Sequence, residues 1–267
     1  MEKKKLDNLS LTYDFKYRDS AEIVNDIYKN VEDLIYETWG LNVPSKYKIF
    51  VVDSYTYFVF AAAPWYLKIA FGLVFPLWYF SARKVWKFAG GITLLKVKYS
   101  PIVIKPMELL TKADTSIGDK IFIRDKDLRK KLQHIICHEI VHVFSSKLKL
   151  PMWLNEGIAM VTVDKLLGEQ TVRNDTTQMF SDNQYKKLTY KKLSKADKNT
   201  IAYNYVYGYW AVMYLEKEHP GFLKELFKKG KVDFEKEIAK KLGIDKKKLW
   251  NEFRDLMLNY FIDKTYE

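Results

Sequence analysis

Residues 128–148 read LRKKLQHIICHEIVHVFSSKL, and this run organises the reading of the whole chain. It is expected to form one helix, with Asp125 or Asp127 near its start and Pro151 just beyond its end. Positions four apart on a helix lie one above the other on the same face, so His138 and His142 can present imidazole nitrogens to a single metal ion, a pattern suited to zinc. Glu139 follows the first of them directly. That places its carboxylate beside a metal rather than on it, where it can take a proton from a metal-activated water as general base. The chain has 4 histidines, and three of them, His134, His138 and His142, fall at four-residue intervals here, which argues against a chance match. A pair made of His134 and His138 would have isoleucine rather than glutamate after its first member, so His134 reads as a supporting or core residue. Cys137 sits about 100° around the helix from His138 and reads as a small buried side chain.

The surroundings of this helix fit a folded enzyme-sized domain. With 267 residues, 48% hydrophobic and 16% aromatic, the chain can bury a sizeable core and is neither disordered nor fibrous. Lys and Arg outnumber Asp and Glu by 45 to 33, a net charge of +12 spread over several helical stretches. No ordered interleaving of basic and aromatic residues of the RNA-recognition kind is present, so nucleic acid is not the expected partner. One cysteine excludes an internal disulfide framework, and the charged start, residues 1–11, shows no secretory signal. Cytoplasmic residence is the expectation.

Upstream, apolar residues at Ile23, Val24, Ile27, Val31, Leu34 and Ile35 have the spacing of an amphipathic helix that Gly40 ends. Strand-like runs follow at residues 47–52, 92–97, 102–104 and 120–123. Between the first two lies residues 57–82, where only Lys68 is charged. Its length suits a bilayer span, but Pro64, Gly72 and Pro76 interrupt it. A single crossing would also part the first helix and strand from the histidine helix. Within the wider insert 57–89 four readings stay open: a broken helical hairpin dipping into one leaflet, an interfacial segment with Arg83, Lys84 and Lys87 at the headgroups, a lid over the active-site cleft, or a buried core hairpin. Downstream, helices are expected at residues 203–217, 221–229, 234–242 and 246–260. These elements suggest an N-terminal part, 1–160, holding the sheet and the histidine helix, and a helical C-terminal part, 161–267.

The word Trp153-Leu154-Asn155-Glu156-Gly157, a short loop after the histidines, resembles that of the gluzincin zinc peptidases, in particular the compact peptidase-MA-like branch. The resemblance implies an α+β zincin-like metallopeptidase fold, with a small mixed sheet, an active-site helix and a mostly helical C-terminal lobe. It implies that Glu156 is the third zinc ligand beside His138 and His142. It also implies hydrolysis of a peptide bond in a peptide or protein substrate. Asn155 reads as a helix cap. A tyrosine usually steadies the oxyanion in this group, and the stretch from Ala202 to Trp210 resembles the tyrosine-bearing helix start, which selects Tyr205, with Tyr209 next. The chain departs from the thermolysin-like pattern at Met160, where those relatives carry an aspartate that orients the first histidine. The strand at residues 120–123 is expected to pair with extended substrate. The competing reading is a catalytically silent zinc- or membrane-binding scaffold.

Overall fold

A computed structural model describes residues 1–54, 86, 89–94, 100–111, 116–124, 126–181 and 185–263. The fold is α+β, with a five-stranded mixed sheet and a larger helical portion. Chain contacts divide it into two compact units. One holds Met1–Glu32, Val43–Thr115 and Asp125–Val143, and the other holds Asp33–Asn42, Ser116–Arg124 and Phe144–Glu267.

The first unit contains the sheet. Strands β1 (Glu2–Lys5) and β2 (Leu9–Tyr13) form an antiparallel hairpin. Helix α1 (Arg18–Trp39) then leads to β3 (Tyr47–Val51), which lies parallel to β2. Strand β4 (Gly91–Thr93) runs antiparallel to β5 (Pro101–Ile104), and β5 is parallel to β3, giving the order β1-β2-β3-β5-β4. Side chains alternate between faces along each strand. Phe50, Val52 and Val103 therefore share one face, where Trp86, Ile92 and Leu94 pack against them. Leu9, Leu11, Tyr47, Ile49, Val51, Ile102 and Ile104 take the other and are all buried. On that second face the Tyr47 hydroxyl donates to the buried Glu32 of α1 at 3.0 Å.

Two short helices, α2 (Met107–Leu110) and α3 (Gly118–Ile121), precede α4 (Leu128–Ser145), the histidine helix. Asp127 starts α4: its carboxylate accepts the backbone N–H of Arg129 at 2.8 Å and of Lys130 at 3.3 Å, so two amides left open at a helix start find a partner. The helix is anchored by Leu132, Ile136, Cys137, Ile140 and Val141, all fully buried.

The second unit is built on α5 (Met152–Leu167) and α6 (Lys198–Glu218), followed by α7 (Phe222–Lys228), α8 (Phe234–Leu242) and α9 (Leu249–Asp263). From Met152 to Val163 every residue of α5 is buried, the mark of a helix enclosed on all sides. Its backbone meets that of α6 at two glycines. A Cβ on Gly157 would stand 2.2 Å from the Gly208 carbonyl oxygen, and one on Gly208 would stand 2.0 Å from that of Trp153. Trp153 is further fixed by a hydrogen bond from its indole to Glu235 at 3.0 Å and by edge-on packing against Tyr207 and Phe253.

Several expectations need correction. The strands expected from the sequence do not include the β1–β2 hairpin, in which Leu9 and Leu11 reach the core. Lys120 and Ile121 belong to α3, and the expected strand at 120–123 shrinks to a single antiparallel bridge between Phe122 and Val172. The Ile121 carbonyl and Ile123 N–H bond to Arg173 and Thr171, so this short edge is already paired and is not available to a substrate. Asn155 is no cap: α5 begins after Pro151, which puts Asn155 inside its first turn, buried. The apolar run 57–82 lies outside the described residues, as does the insert 57–89 apart from residues 86 and 89. Among the described residues, no helix is long and apolar enough to cross a membrane.

Candidate metal centre

The spacing on α4 does what a 3.6-residue repeat requires. The rings of His138 and His142 stand 4.7 Å apart at 88°, and His138 stacks on His134 at 6.4 Å. Glu156 is the fifth residue of α5 and is 2% exposed. One atom each from His138, His142 and Glu156 can be chosen so that all three lie within 4.8 Å of one another. Ligands bound tetrahedrally at about 2.0–2.1 Å lie about 3.3 Å apart, so this group needs only a small contraction to hold zinc. Two neutral imidazoles and one carboxylate also make a donor set that zinc accepts, with the fourth position left to water.

Glu139 is held by a different element. Its Oε2 accepts the Thr93 hydroxyl at 2.5 Å, and that same hydroxyl lies 3.1 Å from the Glu139 backbone oxygen. Gly91, two residues earlier on β4, lies so close to α4 that a Cβ there would fall 2.8 Å from Glu139 Cγ and 2.8 Å from Ile135 Cγ2. Strand β4 therefore both orients the carboxylate and lies directly over it. Among the described residues β4 pairs with β5 alone, which leaves it at the sheet edge.

A chain of hydrogen bonds surrounds Glu156. The Ser145 hydroxyl donates to Asn155 Oδ1 at 2.6 Å, Asn155 Nδ2 donates to the Tyr190 hydroxyl at 2.7 Å, and that hydroxyl donates to Glu156 Oε1 at 2.7 Å. Burial and the Glu156 charge raise the Tyr190 pKa well above the ordinary phenol value, which keeps it a donor at any physiological pH. Burial, with smaller contributions from His138 and Lys131, pushes the His134 imidazole down to about 3 and keeps that ring neutral. Burial also raises the Cys137 thiol beyond reach of ionisation, in keeping with a packing residue.

The two tyrosines selected from the sequence have different surroundings. Tyr209 is fully buried and donates its hydroxyl to Asp164 Oδ2 at 2.6 Å. Tyr205 is half-buried and near enough to Tyr190 to contribute to that residue's raised pKa. Three side chains at this site escaped the sequence reading: Thr93, Ser145 and Tyr190. Tyr190 sits in an irregular loop with no periodicity to single it out, and Thr93 ends a three-residue strand. A serine three residues after His142 carried no signal of its own.

The chain matches no protein-family model, no curated protein and no solved structure. Residue roles therefore rest on geometry and chemistry.

Proposed function

We propose that this protein is a zinc-dependent peptidase with a zincin-like fold, in which His138, His142 and Glu156 hold the metal and Glu139 serves as general base. The observation that carries the reading is the convergence of those three side chains, from two different helices, within 4.8 Å, while Glu139 is oriented separately by Thr93. Zinc bound there would act as a Lewis acid toward a carbonyl oxygen and lower the pKa of a water molecule. Glu139 takes the proton from the attacking water and passes it to the leaving amine. Thr93 holds Oε2 of that carboxylate, so the proton is taken at the other oxygen. An extended peptide adds to the edge of β4, the role expected of residues 120–123, which pair instead with residues 171–173. A peptide added there would pass close to Glu139, which β4 already contacts through Thr93. Tyr205 is the candidate donor to the developing oxyanion.

The test combines metal analysis with peptide cleavage for the wild type and Glu139→Gln. Stoichiometric zinc in both, with cleavage in the wild type and a loss of about 100-fold or more in the variant, supports the proposal. A wild type that purifies without zinc and takes none up sinks the metal site. One that holds zinc but cleaves nothing in a broad peptide library is instead a silent scaffold.

A further inference from the structure

We infer that Tyr190 is a positioning residue for the third metal ligand: held by Asn155 and, through it, by Ser145, its hydroxyl donates to Glu156 Oε1 and fixes the direction of that carboxylate. The inference rests on the zinc-site reading above and names a device that the reading does not require.

Its basis is the polarity of the chain. Ser145 has one hydroxyl proton, and it goes to Asn155 Oδ1. That bond fixes which way the amide faces, so Nδ2 is turned to Tyr190 and donates to the phenol oxygen. With that side of the oxygen taken by a donor, the phenol proton is directed to Glu156 Oε1. Every bond runs the same way, from the last turn of α4 through the first turn of α5 to the loop and back to α5.

The carboxylate gains in two ways. A glutamate side chain has three torsions, and a pre-set hydrogen bond removes the entropy cost of ordering them from the binding step. A neutral phenol also leaves the carboxylate its full charge, which a lysine or arginine in the same place would neutralise. The arrangement on the tyrosine agrees: as a residue it is 40% exposed, yet its hydroxyl points inward to two buried side chains. A tyrosine retained only for packing would bury its ring and leave its hydroxyl at the surface, the reverse of what is found.

The experiment uses the full chain and zinc itself, with affinity measured by competition against a chromophoric chelator and the thermal midpoint of the metal-free protein measured in parallel. Tyr190→Phe is expected to weaken zinc binding by about 10–100-fold, the range for an outer partner of a ligand, and to lower the metal-free midpoint somewhat, because a buried carboxylate loses a donor. Ser145→Ala, which leaves the tyrosine ring and hydroxyl in place, is expected to weaken zinc by a smaller factor, because the Asn155 amide can then turn over. Zinc affinity in Tyr190→Phe within about twofold of wild type overturns the inference, whether or not the midpoint moves. If Tyr190→Phe fails to fold, unchanged affinity in Ser145→Ala overturns it instead. A wild type that binds no zinc removes the metal site and this device together, whereas tight wild-type binding with an indifferent Tyr190→Phe removes the device alone.

Discussion

Helix α5 carries two carboxylates eight residues apart, about 12 Å along its axis, and each accepts a hydrogen bond from a tyrosine. Tyr190 donates to Glu156 at 2.7 Å and Tyr209 to Asp164 at 2.6 Å. The chemistry is the same and the company is different. Asp164 Oδ1 accepts both the backbone N–H of Thr171 at 2.9 Å and its hydroxyl at 2.6 Å, while Oδ2 takes Tyr209. Both of its oxygens are thus engaged by neutral protein donors, which ties the chain after α5 back to the helix that precedes it. Glu156 instead has a tyrosine on one oxygen and two imidazoles within ligand distance. The contrast separates a carboxylate that closes a structure from one that stands beside two imidazoles. A buried acid with a tyrosine on it is, by itself, neither.

The contrast breaks most visibly if the two positions exchange consequences. Glu156→Ala is expected to weaken zinc by more than the about 100-fold that an outer partner commands, since it removes a ligand. Asp164→Ala is expected to leave zinc affinity at the wild-type level while lowering stability by about 1–3 kcal/mol, because the Thr171 and Tyr209 donors lose their acceptor. Metal stoichiometry after dialysis, with circular dichroism to confirm folding, checks both. Loss of zinc from a folded Asp164→Ala would show that the second carboxylate is not purely structural.

A smaller effect sharpens the point by moving the helix rather than its side chains. Gly157 directly follows Glu156, and a methyl group there meets the Gly208 carbonyl at 2.2 Å and Val212 Cγ2 at 2.8 Å. Backbone cannot give way as a flexible side chain can, so Gly157→Ala is expected to cost about 1–3 kcal/mol in urea unfolding. Its zinc affinity should fall as well, because α5 must shift to relieve the clash. Gly168→Ala, near the Asp164 end, introduces no clash, since nothing stands within 4 Å, but it strains a left-handed residue at φ +69°. It should lower stability by about 1 kcal/mol and leave zinc untouched.

What the sequence made legible follows the same division. Regular spacing and short words are readable: the His138–His142 pair sits on one helix as its interval requires, and α1, β3, β5 and the C-terminal helices lie close to the expected runs. Glu156 could be named because a five-residue word surrounds it, and Gly157 in that word proves to be the point of backbone contact with α6. Legibility ends where a function depends on a partner remote in sequence. Tyr190 stands 34 residues from Glu156, and Thr93 stands 46 residues from Glu139. Nothing local distinguishes either from other loop or strand residues. Residues 120–123 misled for a related reason. Their β-branched and aromatic content suits a strand, but Gly118 and Asp119 open a helical turn, and a short edge has too few partners to enforce extension. Tyr209 followed Tyr205 only through the resemblance of residues 202–210, and the hydrogen bond of its hydroxyl to Asp164, 45 residues away, has no local signal either.

The finest test of the contrast is the pH dependence of Asp164 and its tyrosine. Burial, opposed by the Thr171 and Tyr209 hydrogen bonds, raises the Asp164 pKa above 3.8. The folded protein therefore holds this proton more tightly than the unfolded chain does. The stability linked to it is complete below pH 3.8 and is lost as pH rises through the raised value. Asp164→Asn has no such proton to release, so the stability of the wild type relative to this variant should decline across that window and then level off. Tyr209→Phe removes one of the bonds that lower the pKa and should carry the window to higher pH, with a cost of about 1 kcal/mol or somewhat more where the carboxylate is ionised. Urea unfolding at several pH values, on metal-free protein, measures both. A difference between wild type and Asp164→Asn that is flat with pH would mean that Asp164 is not held as a buried acid, and the likeness between the two tyrosine–carboxylate pairs would then be one of distance alone.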